Sequence, residues 1–132
     1  MPRELFSIVC DDIRIELGNK PSFMGVYDEG ILVPKIPFSF AKLCLAQRYE
    51  EEAEVNESYQ ISVVLTGPKL KIDATLDVKK KSTRLVSVYV GFGGIRITEE
   101  GDYRFESYRT GDESPFIVKK FYIRLNPDLK II

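Results

Sequence analysis

The stretch LKIDATLDV, residues 70–78, alternates without a break. Leu70, Ile72, Ala74, Leu76 and Val78 fall on one side of an extended chain, and Lys71, Asp73, Thr75 and Asp77 on the other. A period of two with one apolar and one polar face marks a half-buried antiparallel strand and does not fit the period of a helix. The run YQISVVL before it behaves the same way, with Tyr59, Ile61, Val63 and Leu65 sharing a face. The turn signal TGP joins the two, so residues 58–78 read as a hairpin.

The same period runs through most of the chain. In TRLVSVYVGFGGIRI, Val86, Val88, Val90 and Phe92 form one face before Gly91, Gly93 and Gly94 interrupt it. Glycines inside a strand predict a bulge or a bend, where the chain changes direction or sheet. YRFESY resumes the alternation after the turn TEEGD, and FIVKKFYIRL follows the turn TGDESP. Its apolar parity shifts near Lys119-Lys120, which predicts a bulge there. At the front, LFSIVC is apolar on both faces, as a central strand would be, and DIRIEL alternates strictly. FMGVYD, ILVP and PFSFAKLCLAQRY complete the set. QRYEEEAEVNES has room for one or two helical turns but too few apolar residues to pack, and reads as a solvated acidic connection.

Short strands with turn signals every 8–12 residues predict an all-β fold. The expectation is an immunoglobulin-like antiparallel β-sandwich of about 7–9 strands with little or no helix, a small closed β-barrel being the alternative. The chain has 132 residues, enough for one sizeable core, and no linker divides it, so residues 1–132 read as a single domain.

Composition narrows the chemistry. A net charge of −1 argues against a nucleic-acid partner, which needs clustered excess Lys and Arg. No apolar run approaches the ~18 residues that span a bilayer, and MPRELFSIVCDD lacks the apolar core of a signal peptide, so no membrane partner and a cytoplasmic location are expected. Cys10 and Cys44 lie in apolar stretches and read as buried free thiols, a disulfide being the alternative. The chain has no histidine. That removes His-based triads, Cys-His dyads and most zinc sites, and no cofactor or metal is expected.

Few residues remain as site candidates. Asp11 and Asp12 follow Cys10 directly, and read as the close of the first strand, one Asp capping a turn. Adjacent residues of a strand face opposite ways, which disfavours a carboxylate dyad. GFGG, residues 91–94, lacks the Lys and Ser or Thr of a phosphate loop and reads as a kink. KKKSTR, with Lys79, Lys80 and Lys81, reads as a solvated hairpin tip, or as a basic loop that meets a partner together with the acidic EEEAE. SYRTGDESPF carries Tyr108, Arg109, Asp112 and Glu113 on a loop, where recognition usually sits. Asp102, Asp112 and Glu113 are acidic enough for Ca²⁺ but do not follow the calcium-loop pattern. Tyr89, Tyr108 and Tyr122 are the candidates for exposed aromatic faces.

The ordering in CDDIRIELGNKPSFMGVYDEGILVPKIPFSFAKLCLA carries a resemblance. An apolar strand, Cys-Asp-Asp, an alternating strand, Gly-x-Lys, Met-Gly-Val-Tyr, Val-Pro and Pro-Phe follow one another. The chain resembles a family of small uncharacterised bacterial and phage-associated proteins, a domain of unknown function. The likeness is concentrated in residues 7–46, with GDYRF fitting a late strand opened by Gly. It implies a compact β-sandwich and carries over no catalytic residue. Within it, Gly18-Asn19-Lys20 and Asp28-Glu29-Gly30 read as turns, and Gly25 as a point where a neighbouring backbone approaches.

The expectation for function is a non-enzymatic protein-binding or assembly module whose partner is another protein or a second copy bound through an edge strand. Its binding surface would draw on Tyr108, Arg109, Asp112, Glu113, Lys79, Lys80 and Lys81. One alternative is a carbohydrate-binding or carboxylate-dependent hydrolase domain using Asp11, Asp12, Asp28, Glu29, Asp112 and Glu113. Another is a phage structural accessory protein.

Overall fold

The computed structural model describes residues 2–51, 58–79 and 84–129. Nine strands follow one another: β1 (Arg3–Glu16), β2 (Lys20–Tyr27), β3 (Gly30–Val33), β4 (Phe38–Glu50), β5 (Tyr59–Gly67), β6 (Leu70–Val78), β7 (Leu85–Ile97), β8 (Gly101–Arg109) and β9 (Ile117–Leu125). They form a four-stranded sheet in the order β2-β1-β4-β7 and a five-stranded sheet in the order β3-β9-β8-β5-β6. All pairings are antiparallel except that of β3 with β9. Neither sheet closes on itself, so the β-sandwich expectation holds and the barrel does not.

Alternation delivers the core. Ile61, Val63 and Leu65 of β5 and Tyr103 and Phe105 of β8 face Leu43, Leu45 and Tyr49 of β4 and Val88, Val90 and Phe92 of β7, all buried. Phe92 meets Phe105 across the gap at 5.9 Å between ring centroids. The glycines of β7 do not send it to the other sheet. The ladder with β4 keeps one register from Glu50↔Leu85 to Phe38↔Ile97. The inward parity nevertheless changes on both strands at the same level. Phe40 and Ile95 point inward on one side of Ala41 and Gly94, Leu43 and Phe92 on the other. Gly94 takes φ +66°, a conformation that a side chain disfavours, and so lets the slip occur.

β1 overturns the reading of Asp11-Asp12 as a strand end. The strand runs through both residues to Glu16. It leaves β4 after Cys10↔Cys44 and continues with β2 alone. Phe23 pairs with Ile13, seven residues beyond Phe6, a span of about 23 Å in an extended chain. Yet the rings of Phe6 and Phe23 lie 6.3 Å apart, and Phe23 lies 6.2 Å from Tyr89 of β7. The β1–β2 hairpin therefore folds back over the outer face of the four-stranded sheet. Beneath it Cys10, Cys44 and Ala46 are fully buried although they point away from the main core. The bend falls at Asp11 and Gly25. Gly25 takes φ +65°, and a Cβ there would lie 2.2 Å from Oδ2 of Asp11, so it is a side chain, not a backbone, that approaches. Asp11 accepts a hydrogen bond from the Tyr27 hydroxyl, and Asp12 pairs with Nζ of Lys42 at 2.9 Å, fastening the base of the flap to β4.

Three further expectations change. β9 has no bulge: its ladder with β8 is continuous from Gly101↔Ile123 to Ser107↔Ile117. The parity shift arises because Lys119 takes an inward position while Val118 is exposed. β6 and β7 belong to different sheets and are not the two arms of a hairpin, which overturns the hairpin-tip reading of KKKSTR; residues 80–83 lie outside the described residues. The connection after β4 is not solvated at its start: Gln47, Tyr49 and Glu51 are buried. Residues 52–57 lie outside the described residues.

Substituting Gly25→Ala places a methyl into Asp11 and strains the backbone. We expect a loss of about 1–3 kcal/mol in urea denaturation, and an unchanged midpoint would contradict the bend described above.

Candidate functional site

A recess lies at one rim of the sandwich, where β4 ends, β5 begins and β8 turns into β9. The β8–β9 connection opens a cleft of about 780 Å³ lined by Pro2, Glu51, Tyr59, Arg109, Asp112, Glu113 and Phe116 among others. Ladder pairing sets its walls: Ile61 faces Arg109, and the Thr110 amide donates to the Gln60 carbonyl at 3.0 Å. The Phe116 amide returns to the Ser107 carbonyl at 2.8 Å and closes the loop. Glycine at position 111 takes φ +96° within it.

Two aromatic contacts shape the floor. The Arg109 guanidinium carbon sits 4.2 Å above the Tyr59 ring centroid, a cation–π stack. Phe116 meets Tyr49 edge to face at 5.1 Å. The Tyr49 and Tyr59 hydroxyls lie 2.7 Å apart, and Tyr59 also reaches Oε2 of Glu51 at 3.3 Å. Glu51 is 4% exposed, and its amide donates to the Arg84 carbonyl. Burial pushes both phenols up, so at neutral pH they are donors rather than bases.

A second polar chain runs into the core at this end. Gln47 of β4 is fully buried, accepting from Ser107 Oγ of β8 at 2.6 Å and donating to Ser7 Oγ of β1 at 3.2 Å. It is a hydrogen-bonded pin between the two sheets. Among the described residues no buried side-chain polar atom is left without a partner. Sequence reading missed Gln47, Ser107 and Glu51 because a polar residue in an alternating run is assigned to the solvent face. The one available signal was parity: Gln47 keeps step with Leu43, Leu45 and Tyr49.

The structure gathers only part of the predicted set. Arg109, Asp112 and Glu113 share the cleft. Tyr108 points to the outer face of its sheet and donates to Glu106 at 2.8 Å. Lys79 is exposed and lines a different recess, with Asn19, Leu76 and Tyr89. Lys80 and Lys81 lie outside the described residues. The six carboxylates named for hydrolysis sit on three segments: Asp11 and Asp12 at the flap, Asp28 and Glu29 in the β2–β3 turn, Asp112 and Glu113 in the β8–β9 loop. Asp102 lies near the start of β8 and Asp112 in the turn after its end, separated by the seven-residue rise from Asp102 to Arg109, roughly 23 Å. No group of three or more Cys, Asp or Glu among the described residues is placed to hold a metal ion. Tyr89 is covered by Phe23, and Tyr122 carries Arg124 over its ring at 4.3 Å. Cys10 and Cys44 face each other across the ladder as free, buried thiols. Burial pushes the Cys10 thiol up to about 11, away from thiolate chemistry.

Four phenols, Tyr27, Tyr49, Tyr59 and Tyr103, are raised by burial first of all. A raised phenol favours its proton in the folded state, so this stabilisation is full below the ordinary tyrosine pKa of about 10 and is lost as pH rises beyond it. Spectrophotometric titration should therefore show phenolate absorbance lagging behind free tyrosine and completing only with alkaline unfolding. A single transition near the free value with the fold intact would contradict these environments.

No curated protein sequence matches the chain. A family model does, over residues 5–117, well beyond the stretch that carried the resemblance. The matched span runs from Leu5 in β1 to Ile117, the first residue of β9, and takes in the flap and Glu51, Tyr59, Arg109, Asp112, Glu113 and Phe116 of the cleft. The chain belongs to that family, DUF6941, a family of unknown function.

Proposed function

We propose that the domain is a non-enzymatic protein-binding or assembly module that receives a partner at the rim cleft. The observation that carries this reading is the stack of Arg109 on Tyr59 beside Phe116. Arg and aromatic residues are where interface binding energy concentrates, and a side chain already held in place loses less entropy when a partner arrives. Asp112 and Glu113, exposed at the lip, favour a partner with a basic rim and act on encounter rate and orientation. Carboxylate catalysis draws less support. Its candidates come from three segments, and Asp12 is held below the ordinary carboxylate range by its hydrogen bond from Lys42.

An immunoglobulin-like reading of the sandwich is supported by the corner before β8. The Tyr103 hydroxyl donates to the Glu99 carbonyl at 2.7 Å, the bond of a tyrosine corner. Among the described residues no helix is long and apolar enough to cross a membrane. A cytoplasmic location is supported by the facing free thiols, which an oxidising compartment would tend to join.

Affinity capture from host lysate with wild-type, Arg109→Ala and Asp112→Lys/Glu113→Lys baits tests the proposal. A stoichiometric companion should be retained by the wild type, lost from Arg109→Ala and weakened by the charge reversal, with thermal melts close to one another. A companion indifferent to both variants, or none at all, would overturn the rim-cleft reading.

A further inference from the structure

The five-stranded sheet ends at β6, which pairs with β5 over its full length and, among the described residues, with no strand on its other side. An open edge offers unpaired N–H and C=O groups to any extended chain, and sheets usually blunt it. The other edges are blunted. β2 carries Pro21 and the bend at Gly25, β3 has four residues, and β7 holds three glycines and the parity slip. β6 has nine residues, none of them Pro or Gly. Its Leu70, Ile72, Ala74 and Leu76 pack on the margin of the core yet stay half-buried, and Lys71, Asp73, Thr75 and Asp77 are exposed.

We infer that β6 pairs antiparallel with β6 of a second copy of this chain about a two-fold axis at Ala74, joining two five-stranded sheets into one. Residues directly opposite in an antiparallel ladder lie on the same face, so the axis falls on a residue and not between two. Centred on Ala74, the pairing engages the whole strand. Lys71 stands opposite Asp77 of the second copy, and Asp77 opposite its Lys71. Asp73 meets Thr75 twice. On the core face Ile72 meets Leu76, Leu70 meets Val78, and the small Ala74 meets itself on the axis. Neighbouring registers are penalised. An axis at Asp73 sets that carboxylate against its own copy. An axis at Thr75 sets Asp73 against Asp77 and Lys71 against Lys79. Axes at Ile72 or Leu76 engage only about half the strand. Gln60 Nε2 already donates to Oδ1 of Asp77 at 3.0 Å and orients the carboxylate, whose other oxygen is the acceptor for Lys71. This interface uses a surface separate from the rim cleft and does not rest on the cleft's function.

A single strand pair is a small interface, so the dimer is of modest affinity and dissociates on dilution. Sedimentation equilibrium over roughly 1 µM to 1 mM tests it on the wild type, Lys71→Glu, Asp77→Lys and the double exchange. Each single variant turns two attractive cross-strand pairs into two repulsive ones and should weaken the dimer about tenfold or more. The double exchange restores both pairs and should return to within a few-fold of the wild type. Both positions are exposed, and circular dichroism melts verify that the variants fold. A wild type that stays monomeric throughout, a dimer indifferent to the single exchanges, or a double exchange as weak as either single would overturn the inference.

Discussion

Backbone hydrogen bonds at the sheet edges set the terms for this molecule. Among the described residues the two open sheets have four edge strands, each with no further strand paired beyond it, and an open edge is a template for another chain. The sequence disposes of three of them. Pro21 sits on β2, where a missing donor faces outward at no cost to the ladder. β3 stops after four residues, with Pro34 following. β7 carries Gly91, Gly93 and Gly94 and changes its inward parity at Gly94. Of the four, β6 alone has neither Pro nor Gly and keeps one alternation over nine residues, and its charges are of both signs. On three strands local residue choice works against added pairing; on the fourth it is compatible with it.

The folded-back flap answers a second demand. A four-stranded sheet with one face on the core leaves the other to solvent, and Cys10, Cys44 and Ala46 make part of that face apolar. The hairpin of β1 and β2 covers it with Phe23, and Phe23, Phe6 and Tyr89 form a small aromatic layer outside the sandwich. The flap is possible only because Gly25 accepts a left-handed conformation against Asp11. Its tip remains open to solvent, where Leu17 is 95% exposed. On the core side of the same sheet, among the described residues, polarity is admitted only where it is fully paired. Gln47 and Ser107 hold the sheets together beside the cleft, and Tyr49, Tyr59 and Glu51 share their hydrogen bonds within it. A well-satisfied polar layer next to a loop gives that loop a rigid base.

Most of the architecture was legible because a strand with one solvated face writes its orientation into every second residue. β5, β6 and β8 are of this kind, and their hairpin and turns follow from TGP and TEEGD. What escaped did so for physical reasons. Asp11-Asp12 has the composition of a turn, yet the chain bends there without leaving the strand, because both acids are bonded to side chains, Tyr27 and Lys42. Lys119 looks like an outward residue and stands inward, so parity suggested a bulge that the ladder lacks. Which strands share a sheet depends on long-range pairing, and KKKSTR carries no mark of the crossover from one sheet to the other. The site was half legible: Arg109, Asp112, Glu113 and the neighbouring Phe116 come from the loop SYRTGDESPF that the sequence singles out, whereas Glu51 and Tyr59 join them only through the fold.

Self-pairing of two copies at the β6 edge, as inferred above, alters backbone protection along that one strand. Backbone amide exchange, followed residue by residue as protein concentration rises, tests it most directly. With self-pairing at β6, amides within residues 70–78 that exchange freely in dilute solution gain protection at high concentration in an alternating pattern, while the edges β2, β3 and β7 stay as they were. Free exchange along β6 at every concentration, or protection that appears on another edge instead, would contradict it.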